Sequence, residues 1–153
     1  MRLEDVLTGA LLLWALAIAA CDWRWRKVPN LLLLALLGPA LAILCWRGAG
    51  LLHTSVAASL IGLVAGFGLT LPGYVTSKLG AGDVKLAAVI GFVLGWPLAG
   101  SFLLISALML GAMAFAVVSL LGMQNAREVR IPAAVALSGG FVAVLAAVRG
   151  GWL

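Results

Sequence analysis

The segment Leu98–Met123, LAGSFLLISALMLGAMAFAVVSLLGM, contains 26 residues and no charged side chain. A helix needs about 20 apolar residues to cross the hydrocarbon core of a bilayer, so this segment predicts a transmembrane helix. The whole 153-residue chain has the same character, because 65% of its residues are hydrophobic and 10% are charged. A soluble domain carries about 25% charged residues. The composition therefore predicts an integral membrane protein.

The chain contains five further apolar segments, and most of them approach the length of a membrane span. Numbered in chain order, Leu98–Met123 is the fifth of the six segments. We therefore predict an all-α integral membrane protein with six transmembrane helices, which form a single domain over residues 1–153. The fourth segment is too short to span a bilayer without additional residues. The five segments are Val6–Cys21, Leu31–Trp46, Leu51–Leu71, Leu86–Trp96 and Ile131–Val148.

The distribution of lysine and arginine predicts the orientation, since cytoplasmic loops are enriched in these residues. If the N-terminus lies outside the cytoplasm, seven basic residues fall on the inner side and three on the outer side. We therefore predict that both termini are non-cytoplasmic. The net charge of +5 is spread over loops between apolar segments, which favours lipid headgroups over nucleic acid as a partner. The inner set is Arg24, Arg26, Lys27, Lys78, Lys85, Arg127 and Arg130, and the outer set is Arg2, Arg47 and Arg149.

The residue types that usually bind metals are sparse. Cys21 and Cys45 form no Cys-x-x-Cys pair, and the predicted topology puts them on opposite sides of the membrane. His53 is the only histidine and lies in a predicted outer loop, where a solvated role is expected. We therefore expect no metal site and no disulfide.

Two aspartates are the candidates for chemistry. Asp22 ends the first apolar segment and Asp83 begins the fourth, so both are predicted at the cytoplasmic end of a helix. An acidic group near the bilayer is unfavourable and indicates a functional site. Simpler interpretations also exist. Asp22 could pair with Arg24 or Arg26, and Asp83 could cap the N-terminus of the fourth helix.

The sequence around each aspartate favours the functional interpretation. Gly80-Ala81-Gly82-Asp83 places a carboxylate after two glycines, which permit unusual dihedral angles and remove side-chain bulk. Val28-Pro29-Asn30 ends the first helix and turns the chain toward the second. The helical rise puts both carboxylates in the inner third of the membrane, where irregular backbone is tolerated only in a wet or buried cavity. We therefore predict a water-filled pocket open to the cytoplasm.

These two segments resemble the motifs of a known family. Cys21–Asn30, CDWRWRKVPN, is similar to the first aspartate motif of type IV prepilin peptidases, and Gly80–Leu86, GAGDVKL, is similar to their GxGD motif. The resemblance implies a membrane aspartyl protease of the bacterial inner membrane that removes the basic leader from a prepilin or pseudopilin. It also implies that this substrate consists of the leader followed by an N-terminal helix. It implies catalytic roles for Asp22 and Asp83. The supporting motif residues would be Gly80, Gly82, Lys85, Arg24, Pro29 and Asn30.

The resemblance is to the short forms of this family, which serve Flp-type, tight-adherence pili. Larger prepilin peptidases also methylate the new N-terminus and carry a cytoplasmic insertion, often with Cys-x-x-Cys pairs, that is missing here. Presenilin-like GxGD enzymes are longer and have a tyrosine before the first aspartate, whereas this chain has Cys21. We therefore expect cleavage without methylation.

The resemblance also implies a mechanism that requires no metal and no organic cofactor. Two neighbouring carboxyl groups share one proton, because both cannot easily ionise together. The ionised one accepts a proton from the attacking water, and the neutral one protonates the oxyanion or the leaving amine. Lys78 and Lys85 are expected to contact anionic lipid, since a basic leader would be repelled by them.

Two other functions are compatible with a small membrane protein of this composition. A proton- or ion-coupled transporter or channel would use the two aspartates along a path across the bilayer. However, both aspartates are predicted on one side, and segments two, three, five and six contain no acidic residue. A structural membrane subunit would leave the glycine-aspartate motif unexplained.

Overall fold

The computed structural model describes residues 3–126 and 131–152, and these ranges form six α-helices. The all-α prediction is confirmed: the two ranges contain no β-strand, only an isolated bridge between Ala49 and Ser55. The helices are α1 (Leu3–Trp25), α2 (Asn30–Arg47), α3 (Val56–Val75), α4 (Ala81–Leu94), α5 (Leu98–Ala126) and α6 (Ala133–Arg149).

Four helices in the described part of the chain are long and apolar enough to cross a membrane. They are α1 from Asp5 onward, α2, α3, and α5 as far as Leu120. In contrast, α4 has 14 residues and α6 has 17, which is less than the length of about 20 that a span usually needs. The length and apolar composition of these four helices therefore indicate a multi-pass membrane protein. Six crossings and the outward orientation of the termini stay predictions.

Local sequence explains where the helices begin. Pro29 and Pro132 are the N-caps of α2 and α6, and Pro97 immediately precedes α5. Proline suits a helix start because its missing N–H has no intrahelical partner there. The fourth helix starts at Ala81, two residues before Asp83, which was predicted at its beginning, and five residues before the apolar segment that starts at Leu86.

Helix α4 lies at the centre of the packing. Nine of its 14 residues are buried. It packs most extensively on α3 and also contacts α2, α5 and α6, while α1 packs against α6. The two helices that carry the aspartates, α1 and α4, are thus connected through α6.

The contact between α3 and α4 brings two backbones together. A methyl group added at Gly62 would overlap the carbonyl oxygen of Gly91, and one added at Gly66 would overlap the carbonyl oxygen of Ala87. Helices in lipid associate through such close packing, because no hydrophobic effect drives them together. Two glycines of α3 therefore fix the height and angle of α4, which carries Asp83.

We expect Gly62→Ala to destabilise the protein. The added methyl group has no room against Gly91, and overpacking of this kind lowers the free energy of unfolding by about 1–3 kcal/mol. Gly68→Ala in the same helix is the matched control, because a methyl group there meets nothing within 4 Å. Unfolding in a detergent titration should separate the two variants. Equal stability of both would contradict the tight α3–α4 contact.

Candidate active site

Asp22 lies near the end of α1 and is buried, with 5% of the residue exposed. Its Oδ2 accepts a hydrogen bond of 3.0 Å from the backbone N–H of Ala134, and the next amide, of Val135, also interacts with the carboxylate. Both amides belong to the first turn of α6, whose N-cap, Pro132, makes no side-chain cap. Asp22 therefore supplies the acceptor that α6 lacks, and the positive end of the helix dipole favours its charge.

The simpler interpretation of Asp22 as an ion-pair partner does not fit these contacts. In the described ranges, neither Arg24 nor Arg26 lies within ion-pair distance of Asp22, and Arg26 acts on it only as a nearby charge. Arg24 instead lies over the ring of Trp25, with 6.0 Å between the guanidinium carbon and the ring centroid. The carboxylate is held by the backbone of α6 and not by the arginines that follow it in sequence.

Asp83 lies in the first turn of α4, three residues after the N-cap, Gly80. Its Oδ2 accepts a hydrogen bond of 2.9 Å from the backbone N–H of Gly80. Asp83 is therefore not the N-cap residue, as the simpler interpretation had it, but its side chain binds the backbone of the N-cap, Gly80. The side chain nevertheless lines the same cavity as Asp22, so capping and exposure to the cavity occur together.

The cavity between the two aspartates has a volume of about 380 Å³. The first turns of α4 and α6 both open onto it, and they bring two helix N-termini to one space. Its wall contains two acidic and four basic side chains. Such an arrangement binds anions and polarised peptide oxygens, because helix N-termini and basic side chains both favour negative charge. The basic residues are Arg26, Lys27, Lys78 and Lys85.

The residues predicted from the motifs divide into two groups. Six of them line the cavity, whereas Arg24 and Pro29 do not. Pro29 instead ends the connection between α1 and α2 and is the N-cap of α2. The six that line the cavity are Asp22, Asp83, Gly80, Gly82, Lys85 and Asn30.

The motif glycines are needed for space rather than for unusual dihedral angles. Gly80 has a φ of −77°, which other residues adopt readily, and Gly82 lies inside α4. A Cβ atom at Gly82 would lie 3.1 Å from Cβ of Val28, and one at Gly80 would lie 3.1 Å from Oδ2 of Asp83. Both glycines therefore let the α1–α2 connection and the Asp83 carboxylate approach the start of α4.

Several residues of the cavity were not expected from the sequence. Lys78, which was expected to contact lipid, lines the cavity, as do Arg26 and Lys27. Lys85 was chosen from its motif, but it too was expected to contact lipid and lines the cavity instead. Residues 131–133 line it as well. Pro132 signals a helix start, but nothing in the local sequence shows that this start faces Asp22, from which Ala134 is 112 positions away.

The cysteines take no part in this site. Both Cys21, which is partly buried, and Cys45, which is exposed, are free thiols.

Comparison with known proteins identifies the family. The model of the type IV leader peptidase family matches residues 9–116, a range that contains both aspartate segments and ends within α5. No curated protein and no solved structure matches the chain. The matched range covers more than two thirds of the sequence, and the chain therefore belongs to the type IV leader peptidase family.

Proposed function

We propose that this protein is an aspartyl endopeptidase that removes the basic leader from type IV prepilins, with Asp22 and Asp83 as its catalytic pair. The observation that carries the proposal is that two carboxylates 61 positions apart line one cavity. Membership of the leader peptidase family supplies the substrate class. Each carboxylate is also held by backbone N–H groups at a helix start, which limits its movement.

The proposed mechanism uses these two groups without further assistance. One carboxylate is ionised and accepts a proton as water attacks the scissile carbonyl carbon. The other is protonated and donates its proton as the tetrahedral intermediate collapses and the C–N bond breaks. The products are a new carboxyl group on the leader and a new amine on the mature pilin. Two carboxyl groups on one cavity fit this exchange, because it needs one ionised and one protonated group on either side of the scissile bond.

The acids of the described chain favour the peptidase over the transporter. A transporter would require acidic groups along a path through the membrane. Asp22 and Asp83 instead share one cavity, and Asp5, at the other end of α1, forms an ion pair with Arg149. This distribution supports a local reaction centre.

We further propose that the cavity opens at the cytoplasmic face of the bacterial inner membrane. The four basic residues of its wall all belong to the set assigned to the inner side by the positive-inside rule. These basic residues would repel a basic leader. We therefore place the leader outside the cavity and the scissile bond within it. Anionic lipid headgroups would neutralise basic side chains at the cavity rim.

Fusions to alkaline phosphatase test this orientation. The enzyme is active only outside the cytoplasm, so we expect a fusion at Leu153 to be active and a fusion near Asn125 to be inactive. Comparable expression of both fusions, checked by immunoblot, is the control. The reversed pattern would contradict the proposed membrane side of the cavity.

Flp-type prepilins are the proposed substrates. The connection between α1 and α2 contains only residues 26–29, so it has no room for the insertion that accompanies methylation in larger prepilin peptidases. We expect the purified protein in nanodiscs to cut a Flp-type prepilin once, after its basic leader. Addition of S-adenosylmethionine should leave the mass of the mature product unchanged. An intact prepilin would contradict the function, and a methylated product would contradict the assignment to the short form.

A further inference from the structure

An apolar groove runs between α2 and α3. Both helices pack on α4 but make at most marginal contact with each other, so α4 forms the floor of the gap. The groove has a volume of about 420 Å³. Leu34 and Leu37 form one wall, Leu63 and Phe67 form the other, and Ala88 lies in the floor.

The groove lies next to the cavity that contains the aspartates. Asn30 and Lys85 line both spaces, and they are the polar residues of the groove. From Asn30 to Leu37 the groove follows α2 for about 10 Å, at a rise of 1.5 Å per residue. A helix lying in it would have one end beside the carboxylates and its apolar side chains between α2 and α3.

We propose that this groove binds the apolar helix that follows the scissile bond of the substrate. The inference rests on the proposed function and assigns the part of the protein that recognises the substrate. Ala88 provides a small floor residue that lets a second helix approach α4 closely, as helix association in lipid requires. Leu34 and Phe67 are 61% and 46% exposed, so both can pack against an added helix. The recognition mode is a helix in a groove.

A second apolar groove, between α3, α5 and α6, provides the comparison. It is larger, at about 530 Å³, but it shares only Ala133 with the cavity of the aspartates. The α2–α3 groove shares two polar side chains, which can contact the peptide backbone where the chain leaves the helix and enters the cavity. The two polar side chains shared with the cavity therefore favour the α2–α3 groove as the binding site of the substrate helix.

Ala88→Leu and Ala107→Leu form a matched pair for the test, because each adds the same volume to one of the two grooves. The substrates are a Flp-type prepilin with its whole apolar helix and a peptide that ends a few residues after the scissile bond. We expect Ala88→Leu to reduce the preference in kcat/KM for the long substrate about tenfold, and Ala107→Leu to change it less than about twofold.

The outcomes of this test are distinct. An equal effect of the two substitutions, no effect of either, or an effect of Ala107→Leu alone would overturn the proposed groove while the peptidase activity stands. If the wild-type protein cleaves neither substrate, the proposed function itself fails, and the groove assignment fails with it.

Photo-crosslinking provides a second measurement, in which the groove is not blocked by a larger side chain. Phe67, or Leu104 in the wall of the other groove, is replaced by p-benzoylphenylalanine in an Asp83→Asn background and exposed to the long prepilin. We expect an adduct with the prepilin from position 67 and none from position 104. An adduct from position 104 alone would overturn the proposal. So would adducts from position 67 with lipid or a second copy of this chain only.

Discussion

Asp83→Asn should lower prepilin cleavage about 10³-fold, within the range of about 10²–10⁴ that a positioned acid or base contributes. Asparagine has nearly the same shape as aspartate but cannot take up or release the required proton. Its amide oxygen can still accept the hydrogen bond from the Gly80 N–H, which is 2.9 Å long in the structure. The start of α4 should therefore remain capped, so the variant tests chemistry and not folding.

Asp83→Ala is the companion variant, because it removes the cap as well as the carboxyl group. It should cleave as poorly as Asp83→Asn and also lose about 1 kcal/mol of stability. Initial rates of leader release in nanodiscs and detergent unfolding curves measure the two effects separately. Substantial cleavage by folded Asp83→Asn would leave Asp83 with helix capping alone.

Asp22→Asn should cause a loss of similar size, although its carboxylate is held by a different helix. The asparagine oxygen can accept the hydrogen bond from the Ala134 N–H, so the contact between α1 and α6 should persist. Asp22→Ala would leave that buried amide unpaired, which lowers the free energy of unfolding by about 1–3 kcal/mol. Cleavage and unfolding, measured on both variants, should therefore show equal inactivity but unequal stability.

Asp5→Asn is the matched control for this experiment. Asp5 lies on the same helix as Asp22 but pairs with Arg149 and does not line the cavity, so cleavage should be retained. Arg24→Gln and Lys85→Gln should cause smaller losses than either aspartate variant, since neither residue has a role in proton transfer. Near wild-type cleavage by Asp22→Asn, or a comparable loss with Asp5→Asn, would contradict the assignment of Asp22.

The helices were predictable because long apolar segments have few alternatives in a membrane. The ends of the helices were less predictable. The apolar segment began only at Leu86, because Asp83 and Lys85 interrupt the apolar pattern, although an acid in the first turn is favourable to a helix and α4 begins at Ala81. Helix α5 is interrupted at Gly122, whose dihedral angles are not helical, and then continues past the predicted Met123 to Ala126. Propensity and hydropathy do not specify a kink of this kind.

The site shows the same division between local and tertiary information. Both aspartates, Asn30 and Lys85 could be chosen from local motifs, and all four line the cavity. The contribution of α6 could not be predicted, because the Ala134 amide that binds Asp22 is a backbone group without a side-chain signature. The positive-inside rule gave a membrane side for the lysines, but it does not distinguish a side chain that faces lipid from one that faces a cavity.

The most direct test of the catalytic pair compares Asp22→Asn/Asp83→Asn with the two single variants on the same prepilin. Groups that act as one unit are not additive, because removing either one already abolishes their joint contribution. We predict that the double variant has the same residual rate of leader release as each single variant. A double-variant rate that falls by the product of the two single losses would show independent roles and contradict the pair.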